Sequence, residues 1–222
     1  MVRNSGCRCG TLVVATVIVF LGCVSIILIG YSERFEYEGD GAFTDSGPWK
    51  RTYNRYKLSL GTIFSDQTGT FTYNVGALPD DSLWWEFRIT EVDEDRIYQD
   101  GYDSHIRSDL ANMRLQIVDN ESEEVIGEQS GPLSQWEWRN KSQKYNPDGT
   151  PWRSTEGKMK LNASIMPGMI FSPPYDSPTY GAFGFTPVPD HTYTVTVEVI
   201  EPDEVGLELR FACRGGLTWE TP

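Results

Sequence analysis

Between residues 192 and 200 the chain alternates without a break. Tyr193, Val195, Val197 and Val199 fall on one face, and Thr192, Thr194, Thr196 and Glu198 on the other. Residues 205–213 repeat the pattern, with Val205, Leu207, Leu209, Phe211 and Cys213 on one side. Successive side chains of a strand point to opposite faces, so one apolar and one polar face at period two means a half-buried antiparallel strand. The same spacing recurs at Leu58/Leu60, Phe71/Tyr73/Val75, Trp85/Phe87/Ile89, Met113/Leu115/Ile117 and Met159/Leu161/Ala163/Ile165. Clusters of turn formers separate these runs at 78–81 (LPDD), 146–149 (NPDG) and 172–174 (SPP). Eight to ten short strands so spaced predict an all-β fold, an antiparallel β-sandwich of jelly-roll-like kind, because two amphipathic sheets can bury each other's apolar faces. Residues 201–204 (EPDE) read as a hairpin turn between the last two strands. Residues 104–111 read as a short turn of helix.

The latter half of this strand series resembles the jelly-roll modules of bacterial exterior proteins. The resemblance rests on 113–120 (MRLQIVDN) followed by 125–127 (VIG) and 131–136 (GPLSQW), a strand–turn–strand element, and on 191–197 (HTYTVTV) as a closing strand. It identifies no family.

A different pattern precedes the strands. Residues 11–30 (TLVVATVIVFLGCVSIILIG) contain no charge, Asn, Gln, His or Pro. At 1.5 Å per residue this run spans ~30 Å, the thickness of a bilayer's hydrocarbon core. It predicts a single N-terminal transmembrane helix. Arg3 and Arg8 precede it, whereas Glu33, Glu36, Glu38 and Asp40 follow with Arg34 alone against them. Basic flanks stay in the cytoplasm, so the remainder is expected outside, periplasmic or extracellular. Tyr31 and Phe35 suit the membrane interface, with Arg3 and Arg8 at the opposite one. The run is long for a cleaved signal, and no A-x-A site follows it. A lipoprotein signal ending at Gly22-Cys23 is the alternative, against which stand the apolar Val24, Ile26, Ile27, Leu28 and Ile29. The expected organisation is a cytoplasmic N-terminus (1–10), the membrane helix (11–30), a tether broken by Gly39, Gly41 and Gly47-Pro48 (31–55) and the sandwich (56–222). The helix carries no His and no acid, so neither a haem ligand nor a proton relay is expected there.

Charge narrows the classes of partner. The 222 residues carry 19 Lys and Arg against 32 Asp and Glu, net −13. Without Arg3 and Arg8 the exterior part holds 17 basic against 32 acidic residues, net −15. A nucleic-acid binder needs a cationic face, so none is expected as partner. Of Cys7, Cys9, Cys23 and Cys213, only Cys213 lies outside, so the sandwich has no internal disulfide and must rely on its core. Cys213 shares the apolar face of its strand and reads as a buried small side chain.

Three groups of residues bear on chemistry. The acidic loop with Asp93, Asp95, Asp100 and Asp103 is the one candidate for Ca²⁺, a cation that takes six to eight oxygens, although the spacing is not that of an EF-hand. No other cofactor is expected. Seven tryptophans lie beyond the helix. Alternation puts Trp85 inward and Trp84 outward with Glu86 and Arg88. Trp84 and Trp152 are the candidates for surface contact, while Trp85, Trp136 and Trp138 are expected in the core. Asp103-Ser104-His105 has the residue types of a triad, but triad members come from separate elements, and no nucleophile elbow, H-E-x-x-H or Walker loop occurs. Sequons stand at Asn120, Asn140 and Asn162.

These readings predict a non-enzymatic, single-pass membrane protein whose exterior sandwich makes protein contacts, as an accessory subunit of a membrane assembly. The alternative is a carbohydrate-binding or envelope-sensing module with glycan as partner. A glycan-acting hydrolase, which needs two carboxylates in a cleft, is the third.

Overall fold

The computed structural model describes residues 37–46, 55–99, 105–168 and 184–215. The run 11–30 and Arg3, Arg8, Tyr31 and Phe35 lie outside the described residues, as do Asp100 and Asp103. Among the described residues no helix is long and apolar enough to cross a membrane.

The described chain is all-β. Its strands are β1 (Ala42–Asp45), β2 (Tyr56–Phe64), β3 (Gly69–Val75), β4 (Leu83–Asp93), β5 (Asn112–Asp119), β6 (Glu124–Pro132), β7 (Glu137–Gln143), β8 (Lys160–Met166), β9 (Gly184–Phe185), β10 (Tyr193–Glu201) and β11 (Glu208–Gly215). They form two antiparallel sheets. The seven-stranded sheet runs β1-β2-β11-β4-β8-β7, with β9 also on β4, and the four-stranded sheet runs β3-β10-β5-β6.

Alternation decides what each sheet buries. Tyr193, Val195, Val197 and Val199 of β10 join Met113, Leu115 and Ile117 of β5 on the inner face of the smaller sheet. Leu83, Trp85, Phe87 and Ile89 of β4 join Leu209, Phe211 and Cys213 of β11 on that of the larger. All belong to one hydrophobic core. Rings bridge the two layers: Tyr73 of β3 lies 5.9 Å from Phe211, and the Phe185 ring of β9 meets Tyr193 edge-on at 6.0 Å. Phe211 also stacks on Phe87 at 4.8 Å and on Trp85 at 5.6 Å. Offset and edge-on arrangements favour the ring quadrupoles.

Three local expectations are corrected. Residues 201–204 do not close a hairpin: β10 pairs with β3 and β5, whereas β11 pairs with β2 and β4 in the other sheet. The chain turns a corner there, fixed by the buried Asp203. Its carboxylate accepts hydrogen bonds from Ser65 Oγ (2.9 Å) and from the N–H groups of Ala111 (2.9 Å), Val205 (3.0 Å) and Gly206 (2.8 Å). Ser65 Oγ in turn accepts the Leu207 N–H at 2.7 Å. Next, residues 105–111 make a turn and an isolated Tyr98–Ile106 bridge, with no helix. Last, residues 37–46, read as tether, belong to the folded unit: β1 pairs with β2, and Tyr37 stacks on Phe43 at 5.4 Å. Gly41 is required there, because it sits at φ +92° and a Cβ would stand 2.5 Å from the Ser59 carbonyl oxygen.

A cationic concavity on the outer face of the larger sheet

The outward parity of the three central strands brings basic residues into rows. Across β2, β11 and β4 the register aligns Lys57 with Arg214 and Arg214 with Trp84. One step along, Ser59 faces Ala212 and Ala212 faces Glu86. Further on, Thr62 faces Arg210 and Arg210 faces Arg88. Lys57, Arg88, Arg210 and Arg214 therefore share one face of a chain that is acidic overall.

Glu86 anchors this face. It points outward by parity yet is buried, because Arg214 Nε lies 2.6 Å and Arg88 Nε 3.5 Å from its Oε1, and Ser164 Oγ donates to Oε2 at 2.8 Å. A buried carboxylate requires such partners. Arg214 is held below the usual guanidinium range by burial and by neighbouring Arg88, while Glu86 acts in the opposite direction.

Two bulges shape the surface beside it. In β2, Gly61 opposes Phe211 and Ser59 opposes Ala212, so Leu60 has no counterpart on β11. Gly61 sits at φ +140°. In β4, Thr90 and Glu91 together oppose Asn162 of β8. Glu91 takes φ +61°, held by its N–H bond to Asn162 Oδ1 (3.2 Å) and by an ion pair with Lys144. Bulges re-aim side chains and bend strands, often beside functional sites. Between these two lies a concavity of about 230 Å³. Its lining holds three cations (Lys57, Arg88, Arg210), three hydroxyl residues (Ser59, Thr62, Thr90) and no carboxylate. Arg210 shares an exposed ion pair with Glu208 at 3.1 Å, the kind that contributes little and leaves donors free. Lys57 has no ion-pair partner among the described residues. Partial burial, then Arg214 and Arg88, hold its ammonium below the usual lysine range. The lining offers donors to an anion and no histidine, thiol or free carboxylate for bond-making chemistry.

The outer face of the smaller sheet differs. Its central strands present Thr194, Thr196, Arg114 and Gln116 beside Thr70, Thr72 and Asn74 of β3, and Arg114 is neutralised by Glu128 at 2.7 Å.

The residues singled out from sequence are scattered. Asp93 pairs with Lys160 at 2.8 Å, and Asp95 with Lys158 at 2.6 Å. Trp152 is half-buried under Lys144, whose ammonium lies 4.1 Å from the ring centroid, a cation–π contact. Trp84 is half-buried on the outer face beside Arg214, while Trp85 and Trp136 are buried. Trp138 is half-buried and packs on the core, donating its indole N–H to the Leu133 carbonyl at 2.9 Å.

One cluster was not singled out. Asp119, Glu121 and His191 bring their ligand atoms within 4.8 Å of one another, the group best placed among the described residues to hold a metal. Its donors are already committed. His191 Nδ1 lies 2.7 Å from Asp119 Oδ2, and Asp119 Oδ1 accepts the Glu121 and Ser122 N–H groups. Glu121 accepts the Thr192 N–H at 2.8 Å and its hydroxyl at 3.1 Å. Burial would raise the Asp119 carboxyl, but the His191 bond and the two N–H bonds outweigh it and hold the group below the usual range. The arrangement clamps the β5–β6 turn to the start of β10. No protein-family model matches the chain, nor does any curated protein or solved structure.

Proposed function

We propose that the protein is a single-span membrane protein whose exterior β-sandwich works by binding, as an accessory subunit that meets its partner through the outer face of the seven-stranded sheet. The observation that carries this reading is the gathering of Lys57, Arg88, Arg210 and Arg214 on one sheet face of a chain with net charge −13. Glu86 and Glu208 offset part of this charge, Lys57 has no ion-pair partner among the described residues, and complementary fields steer association. The anchor in this reading is the apolar run 11–30. Gentle co-purification from native membranes tests it. A stoichiometric partner that is lost on Lys57→Glu and kept on Arg114→Glu supports it; a lone monomer in mild detergent overturns it.

A glycan-binding module is the second reading. It is favoured by Trp84, an outward ring in register with Arg214, since aromatic faces anchor ligands beside polar groups. Tryptophan fluorescence titration with oligosaccharides separates the two, because protein contact alone predicts no response.

A further inference from the structure

We propose that the concavity between β2, β11 and β4 is a recognition site for a tetrahedral oxyanion, a phosphate or sulfate group, offered by Lys57, Arg88 and Arg210 with Ser59, Thr62 and Thr90. The inference rests on the reading of this sheet face as the binding face and names the chemistry it recognises.

Geometry separates this ligand from other anions. The three cations stand on three neighbouring strands and line one concavity, with Arg88 directly opposite Arg210 and Lys57 further along β2, at the level of Arg214. A planar carboxylate is satisfied by one guanidinium fork, whereas three terminal oxygens use donors converging from several directions. The hydroxyls add donors of free orientation. Charge agrees. The lining carries no carboxylate; of the acids beside it, Glu86 is shared among Arg214, Arg88 and Ser164, and Glu208 makes an exposed pair with Arg210. An incoming dianion would meet Lys57, which has no ion-pair partner among the described residues, and the donors that Arg88 and Arg210 keep beyond their pairs with Glu86 and Glu208. Size agrees as well, because about 230 Å³ admits a phosphate or sulfate group together with part of the molecule that bears it.

Titration calorimetry on the full chain in a neutral detergent tests the proposal with inorganic phosphate, sulfate, glucose 6-phosphate and acetate. One phosphate or sulfate per chain is expected, with acetate weaker by about tenfold or more. Lys57→Met and Arg88→Met each weaken phosphate by about tenfold, because each removes a charge-assisted donor. Arg114→Met, on the other sheet, leaves binding unchanged. Glucose 6-phosphate binding at least as well as the free ion assigns the site to an ester carried by a larger molecule; binding of inorganic phosphate alone assigns it to the free ion. Absence of phosphate and sulfate binding, acetate binding equally well, or equal loss in Arg114→Met overturns the proposal. Circular dichroism confirms that each variant is folded. If these anions fail while the membrane partner is still lost on Lys57→Glu, this inference falls and the function proposed above stands.

Discussion

Glu86 Oε1 lies 2.6 Å from Arg214 Nε at the centre of the seven-stranded sheet, on its outward side, with both side chains at least 89% shielded from solvent. A buried pair of this kind contributes little relative to an apolar pair, but breaking one side of it is costly because the other charge is left without compensation. Glu86→Gln is therefore expected to lower stability by about 3 kcal/mol, read from the denaturant midpoint at constant slope. A loss below about 0.5 kcal/mol would mean that the pair behaves as a surface contact.

Asp203 is the second point where one polar side chain holds the architecture. Four donors converge on its carboxylate where the chain leaves one sheet for the other. Asp203→Ala leaves Ser65 and three backbone N–H groups without that acceptor. At ~1–3 kcal/mol for each buried group left unsatisfied, the expected loss is about 3 kcal/mol or more. Hydrogen exchange is expected to quicken at Ala111, Val205 and Gly206 in the variant, and unchanged protection there would contradict the role.

Acid sensitivity follows from Asp119. Its folded carboxyl titrates below the usual range, so the group stabilises the fold at pH values above the unfolded value of ~3.9 and loses that contribution as pH falls through the folded one. The stability gap between wild type and Asp119→Asn is expected to be full near neutrality and to close below about pH 4. A gap that widens on acidification would give the opposite sign.

Cys213 is buried in the core, and burial pushes its thiol up, with Glu86 adding to the effect. The thiolate is the reactive form, so Cys213 is expected to resist maleimide in the native protein and to react in denaturant. Peptide mapping by mass spectrometry reads this residue apart from Cys7, Cys9 and Cys23. Native labelling at Cys213 would contradict its place in the core.

Much of the fold is legible in the sequence, because period-two alternation reports which face of a strand is buried. The runs at Leu58/Leu60, Phe71/Tyr73/Val75, Trp85/Phe87/Ile89 and Tyr193/Val195/Val197/Val199 all lie in strands and contribute to the core, although Phe71 and Tyr73 are half-buried. Alternation does not report the partner strand. Residues 201–204 therefore resemble a hairpin turn as much as a sheet-to-sheet corner, and the corner is decided by Asp203 and Ser65, 138 positions apart. The cationic face is legible in part: Arg210 and Arg214, four apart on one strand, share parity. Their meeting with Lys57 and Arg88 depends on the registers of β11 with β2, which shifts at the Leu60 bulge, and with β4. Glu86 and Arg88 on the outward side follow from alternation, but the burial of Glu86 does not, because its cover comes from β8 and β11.

Site-specific photocrosslinking in native membranes tests the central claim most directly, that the outer face of the seven-stranded sheet is where the protein does its binding. A photoreactive residue at Thr62, on the rim of the concavity, is expected to capture a defined partner, and one at Thr196, outward on the four-stranded sheet, to capture none. Capture from Thr196 with none from Thr62 would contradict the account.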